Sequence, residues 1–265
     1  MKQVIGLVLL GLIRSNVVLA GDGTQANGVS HSGRIVNGVA VNIANYVYAV
    51  NMYHNNMFFC GASIITFSHA LTAGHCMNDR MNDIAKIIVH GGSISPTTGG
   101  FFFQVVRIAL HGGYNPNTLE NDAAIVTVPT NAFSGKPNMG RIALQFSEMS
   151  VGTPCFVVGW GRTNINVPAP TSELRYAQMN ILSQASCNAA WASYQIRFTS
   201  NMFCAKYGNG VDVCKGDSGG ALVCEGRLTG IASFTNPDCN SALPAGFAKV
   251  IDPSIRNFIR SQAGI

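Results

Sequence analysis

The stretch Gly210-Val-Asp-Val-Cys-Lys-Gly-Asp-Ser-Gly-Gly-Ala-Leu-Val-Cys224 concentrates more chemistry than any other part of the chain. At its centre, Gly216-Asp217-Ser218-Gly219-Gly220 sets a serine among three glycines and beside a carboxylate. Glycine permits tight turns and lets backbone N–H groups approach a ligand closely. A serine hydroxyl is a weak nucleophile, so it needs a base and a set of donors for the oxyanion that forms on its target. The amides of Gly216 and Ser218 are candidates for those donors. An ordinary polar turn would explain the glycines equally well, so the reading depends on whether the rest of the chain supplies a base and an orienting acid.

Two other stretches do. Leu71-Thr-Ala-Gly-His-Cys76 sets His75 after an apolar run, Ala62 to Leu71, that reads as a buried strand pair. Glu120-Asn-Asp-Ala-Ala-Ile-Val126 sets Asp122 just before another apolar strand. In the order His, Asp, Ser, these motifs closely resemble those of the chymotrypsin-fold, trypsin-like secreted serine proteases, and the resemblance runs from Ile35 to the C-terminus. It implies an all-β fold: two six-stranded antiparallel β-barrels with the active site between them and a C-terminal helix. It further implies Ser218 as nucleophile, His75 as base, Asp122 as the group orienting His75, and the amides of Gly216 and Ser218 as the oxyanion hole. Ser233, in Ile231-Ala-Ser-Phe234, falls where the family's substrate-backbone strand begins, beside the triad aspartate. Two departures are mild: Gly74 stands where alanine is usual before the histidine, and Ala123 follows Asp122. Neither removes a catalytic group.

The start of the chain reads as a leader. Met1-Lys2, an apolar run from Val4 to Ile13 and the small-residue pattern Val18-Leu-Ala20 have the form of a secretory signal peptide ending at residue 20. The run is too short to span a bilayer as a mature helix, which points to a secreted, extracellular protein. Residues 21 to 34 are rich in Gly, Asn and Ser and end in Gly33-Arg34, followed by Ile35-Val-Asn-Gly38. That junction resembles the family's activation site, where cleavage after arginine frees an isoleucine amine. The resemblance implies that the Ile35 ammonium pairs with Asp217 and orders the oxyanion loop. Residues 35–265 would then be the protease domain, with a linker between barrels near 129–141.

Of the 265 residues, 47% are apolar and 11% charged, with 29 glycines, a turn-rich globular composition. The formal charge of +5 is partly carried by the leader. What remains is too mild and dispersed to argue for nucleic acid, and no later stretch argues for a membrane. Eight cysteines in a secreted chain imply disulfides, and spacing alone leaves on the order of a hundred pairings. The resemblance selects Cys60–Cys76, Cys155–Cys224, Cys187–Cys204 and Cys214–Cys239. The cysteines show no C-x-x-C pairs, which argues against zinc. Of the six histidines, only His75 lies in a motif; His54, His69, His90 and His111 read as surface or packing residues.

Short runs of Val, Tyr, Phe and Ile broken by Asn and Gly from Tyr46 to Thr72 read as strands and hairpins, continued by Ile84 to His90 and Phe101 to Leu110. Trypsins often bind calcium in the intervening region, but no Asp or Glu occurs between Asp83 and Glu120, so hard-cation ligation lacks its carboxylates. No metal or cofactor is expected. Cys155-Phe-Val-Val-Gly-Trp-Gly161 starts the second barrel, and Ile255, Phe258 and Ile259 fall at helical spacing in the tail.

Selectivity has two readings. Asp212 stands where trypsin-like members place the acid at the bottom of the primary pocket, favouring Arg or Lys through charge-assisted hydrogen bonds. Yet Thr235 and Ala245 stand at wall positions that are usually glycine, and Phe234 replaces a tryptophan. These narrow the pocket as in elastase-like members, leaving an elastase-like or chymotrypsin-like preference open. Val213 and Lys215 complete the expected pocket, with Lys215 at its rim. The partners implied are protein or peptide substrates and protein protease inhibitors, with a monomer as the default. A non-catalytic binding protein on the same fold is the competing class. Loss of His75, Asp122 or Ser218 would favour it, and all three are present.

Overall fold

The hairpin at Asn55-Asn56 shows how the sequence becomes sheet. Both asparagines take left-handed backbone, φ 51° and 62°, the geometry a tight two-residue turn needs to match strand twist. The turn joins β2 (Ala49–His54) to β3 (Met57–Ile64), paired antiparallel from His54↔Met57 to Ala49↔Ser63. The computed structural model describes residues 38–163, 166, 170–208 and 210–265, and all of them fall in one compact unit.

The first sheet adds β4 (His69–Thr72), β5 (Ile87–Gly91), β6 (Phe101–Gln104), β7 (Arg107–Leu110) and β8 (Ala124–Thr127), in the order β6-β5-β2-β3-β4-β8-β7. Its two edge strands, β6 and β7, belong to one stretch of chain that bends at Val105-Val106. The Val105 amide donates to Ile87 O on β5 (3.1 Å), and the Val106 amide donates to Thr127 O on β8 (2.8 Å). One segment therefore links both edges, and the sheet curls into a barrel. Residues 84–86 form a short 3-10 turn, so the strand expected from Ile84 begins at Ile87.

The second sheet contains β9 (Pro154–Gly159), β10 (Arg175–Ile181), β11 (Met202–Lys206), β12 (Ala221–Cys224), β13 (Arg227–Phe234) and β14 (Ala245–Lys249). Their order is β10-β11-β14-β13-β12-β9, and β9 pairs back onto β10 from Gly159↔Arg175 to Pro154↔Asn180, closing the barrel. The two-residue β1 (Val39–Ala40) is added outside β10. Between β8 and β9, residues 128–153 hold neither helix nor extended strand.

Both barrels are filled by buried apolar side chains. Ala124, Ile125 and Val126 of β8 are fully buried, as are Leu222 and Phe247 in the second barrel. Phe103 is buried against Phe133, while Phe102 faces outward and stacks on His90. The four disulfides join the pairs that the resemblance selects.

Three helices complete the fold. The short α1 (Gly74–Met77) follows β4. Helix α2 (Gln184–Trp191) is capped by Ser183, whose hydroxyl accepts from the Ser186 amide. Helix α3 (Pro253–Ala263) starts with the Asp252 carboxylate accepting from the Ser254 amide, has Pro253 in its first turn, and ends at left-handed Gly264. That is the preferred asymmetry of cap, proline and glycine. Ile255 and Ile259, two of the three tail residues at helical spacing, are fully buried on the core side of α3.

Candidate active site

The site begins with a buried carboxylate. Asp122 is fully shielded from solvent just before β8, where an unpaired charge would be very costly. Three donors converge on it. The His75 amide donates to Oδ1 at 2.7 Å, the His75 ring is bonded through Nδ1 to Oδ2 at 2.8 Å, and Ser233 Oγ donates to the same Oδ2 at 2.5 Å. His75 itself stays accessible, with 27% of its side chain exposed. The first barrel thus presents an oriented imidazole, and Ser233 on β13 of the second barrel ties the two units at the acid.

Gly74 is tight against this group. A Cβ there would lie 3.1 Å from Tyr114 Cδ2 and 3.2 Å from both the Ala123 amide nitrogen and Asp122 Oδ1. The departure from alanine therefore has a local reason, because Tyr114 occupies the space.

Ser218 sits in the turn preceding β12, half-buried, with its carbonyl accepting from the Gly61 amide at 2.8 Å. The amides of Asp217, Gly219 and Gly220 are all consumed, by Cys214 O, Ala232 O and Asp217 O. Those of Gly216 and Ser218 donate to no acceptor among the described residues. Two free amides flanking an accessible serine make a place where negative charge on an oxygen can be held. Gly216 has φ +103°, and a Cβ there would fall 2.6 Å from the Phe58 ring, so only glycine fits.

Asp217 explains the Gly159-Trp-Gly161 motif. Its carboxylate accepts from the Gly161 amide at 2.8 Å and the Cys214 amide at 3.0 Å. A side chain on Gly159 or Gly161 would land 2.2 Å from its oxygens. Burial pushes its pKa up to about 7, against the pull of those two hydrogen bonds. Arg34, Ile35 and the leader lie outside the described residues.

A cavity of about 200 Å³ opens beside Ser218, and Val213, Lys215, Ser233, Phe234 and Thr235 line it. Asp212, only 2% exposed, is not in that lining. It lies behind Thr235, whose hydroxyl donates to its Oδ2 at 3.0 Å, and the Ser241 amide donates to the same oxygen at 3.2 Å. Burial raises the Asp212 pKa to about 6 in spite of these bonds. Ala245 is buried in β14, paired with Ala205 and packed in one cluster with Val213 and Ala232, both of which line the cavity. Phe234 packs edge-on to Trp191 at 5.1 Å.

The only group of possible metal ligands among the described residues is Cys60, His75 and Cys76, and both cysteines are spent in a disulfide. In the loop between β5 and β6, side chains secure the backbone. Tyr53 OH donates to Pro96 O, and His90 Nε2 is bonded to Gly99 O at 2.9 Å. His54 pairs with Asp83 at 3.1 Å and His111 is bonded to Ser254 of α3, so both are tethered rather than free surface groups.

An oriented histidine in the first barrel and an accessible serine in the second fit one class, a two-barrel serine hydrolase. Comparison with known proteins agrees: the trypsin family model matches residues 35–259, and the chain belongs to that family. It is 32% identical to trypsin delta of Drosophila melanogaster over 95% of this chain and 98% of that one. To trypsin alpha of the same fly it is 31% identical, covering 95% and 97%, and to trypsin alpha-4 of Lucilia cuprina 31%, covering 87% and 88%. The protein is a serine-type endopeptidase of the trypsin-like kind. No helix among the described residues is long and apolar enough to cross a membrane.

Proposed function

We propose that the chain is the secreted precursor of an endopeptidase, activated by cleavage after Arg34, that cuts peptide bonds after Arg or Lys with His75, Asp122 and Ser218. The observation that supports this most directly is Asp122 Oδ2 accepting from both His75 and Ser233 while Ser218 lines the adjoining cavity. The steps are those established for Ser-His-Asp hydrolases. Ser218 Oγ attacks the carbonyl as His75 takes its proton, and the amides of Gly216 and Ser218 hold the oxyanion. His75 then protonates the leaving amine, and water repeats the sequence on the acyl-enzyme. Asp122 stays ionised and keeps the ring aligned.

Asp217 supports activation. A buried carboxyl with two amide donors among the described residues gains a counter-charge when the Ile35 ammonium arrives. Asp212 supports Arg or Lys at the cleavage site, because a cation reaching it would pair with a desolvated carboxylate. One observation favours a second, elastase-like reading. Thr235 stands between the cavity and Asp212 and already bonds to it, which shortens the space for a long side chain. Protein or peptide substrates and protein inhibitors are the partners, and a monomer suffices.

The test is cleavage of a peptide set by protein cut at Arg34–Ile35, varying only the residue before the scissile bond, with Ser218→Ala as blank. Preference for Arg and Lys supports the first reading, and preference for Ala or Val supports the second. Activity no greater than the blank, with no labelling of Ser218 by an active-site serine reagent, would leave a non-catalytic binding protein.

A further inference from the structure

A second cavity, of about 390 Å³, shares no lining residue with the Ser218 cleft. Its walls are apolar: Ile65 just beyond β3, with Ile142, Ala143 and Leu144 from the segment between the sheets. Its charged side chains are two guanidiniums, those of Arg141 and Arg256, and Ile265 completes the lining.

The two arginines are held differently. Arg141 is exposed, its Cζ stacked 4.4 Å from the centre of the Phe67 ring. Arg256, on α3, buries its Nη1, which has no hydrogen-bond partner among the described residues. Arg260 lies one helical turn onward on the same face, where like charges repel. Burial first, and Arg260 second, lower the hold of Arg256 on its proton. Arg107 reaches the same helix, donating to Gln262. None of these four arginines forms an ion pair among the described residues.

Buried polar atoms are nearly always satisfied, and an exception calls for a partner. A guanidinium offers a planar fork that matches a carboxylate. The apolar walls suit a hydrocarbon body, and the volume lies in the range of roughly 300–1,000 Å³ usual for small-molecule sites. We infer that this cavity binds a small amphipathic monocarboxylate, its head bridging Arg141 and Arg256 and its aliphatic chain lying on Ile65, Ile142 and Leu144.

The experiment uses the full chain carrying Ser218→Ala, so that self-digestion cannot interfere. Hexanoate, hexanol, hexylammonium and a sulfated oligosaccharide are titrated at low salt, with ligand-observed NMR as the readout. The expected result is saturable hexanoate binding, weakened at least tenfold by Arg256→Gln and by Arg141→Gln and reduced by added salt. Hexanol and hexylammonium should bind at least tenfold more weakly. Arg141 is exposed, so its variant remains informative if Arg256→Gln does not fold. Equal binding of hexanol would overturn the inference, as would hexanoate binding that survives substitution of either arginine in a folded variant. Binding of the sulfated oligosaccharide alone, or no saturable binding, would overturn it too.

Discussion

The hydroxyl of Thr235 donates to Oδ2 of Asp212 at 3.0 Å, so the buried acid beside the cleft has a partner before any substrate arrives. A substrate cation must either share that oxygen or displace the threonine. Thr235→Gly removes both the competing donor and the methyl group at the mouth. A misfitted methylene is worth about 1–3 kcal/mol, so kcat/KM on Arg peptides should rise about tenfold while cleavage after Ala does not. The ratio of the two specificity constants checks it.

The same acid sets a pH dependence. Burial raises the Asp212 pKa to about 6, and only its ionised form attracts Arg or Lys. The ratio of Arg to Ala cleavage cancels the pH dependence the two substrates share. It should therefore be flat above pH 7 and fall towards about tenfold per pH unit below about 6. Asp212→Asn should lower Arg cleavage by at least about 30-fold, in line with removing one partner of a buried charge pair, and abolish the pH trend in the ratio.

Asp217 acts on stability with a definite sign. Its folded pKa, about 7, lies above the ordinary 3.8, so between those values the folded chain binds more protons than the unfolded one. Its contribution is fully present below about 3.8 and is lost as pH rises through 7. The uncut Ser218→Ala chain should lose up to roughly 1.4 kcal/mol per pH unit from this group. Urea midpoints at pH 4.5 and 7.5 test this, since Asp217→Asn should flatten the difference.

Ser233→Ala removes one of three donors to Asp122 while leaving both contributions of His75. A hydrogen bond to a charged group is worth about 1.5–3 kcal/mol, part of which water recovers. A fall in kcat of about tenfold with KM nearly unchanged is expected from steady-state kinetics. An equal loss in KM alone would assign Ser233 to substrate binding.

Gly74→Ala restores the residue usual in the family and should nonetheless be harmful. Its Cβ would press on Tyr114, on the Ala123 amide and on Asp122, and the backbone nitrogen cannot easily give way. Thermal unfolding should show about 1–2 kcal/mol of destabilisation, a typical overpacking cost, with a several-fold drop in kcat as Asp122 shifts.

The strands of the first barrel and β9 were legible because they are short apolar runs between turn residues, and the rest of the second barrel was legible only through the family resemblance. The disulfides were legible only through the family resemblance. Helix α2 was not legible: Gln184 to Trp191 is small and polar, with only Cys187 and Trp191 buried on one face. At the candidate site, Asp122, His75 and Ser218 each lay in a local motif. The Ser233–Asp122 contact spans 111 positions and was legible only through the family resemblance, and the packing of Tyr114 against Gly74 had no local signal at all.

The division of groups between the barrels has a consequence for how the chain emerges during synthesis. The histidine and its carboxylate belong to the half made first, whereas the serine and Ser233, which braces that carboxylate, belong to the half made last. A half-made or half-folded molecule holds a base without a nucleophile, or the reverse. The architecture thus works as a coincidence gate: the groups gathered at Asp122 come together only once both halves of the chain are made and folded.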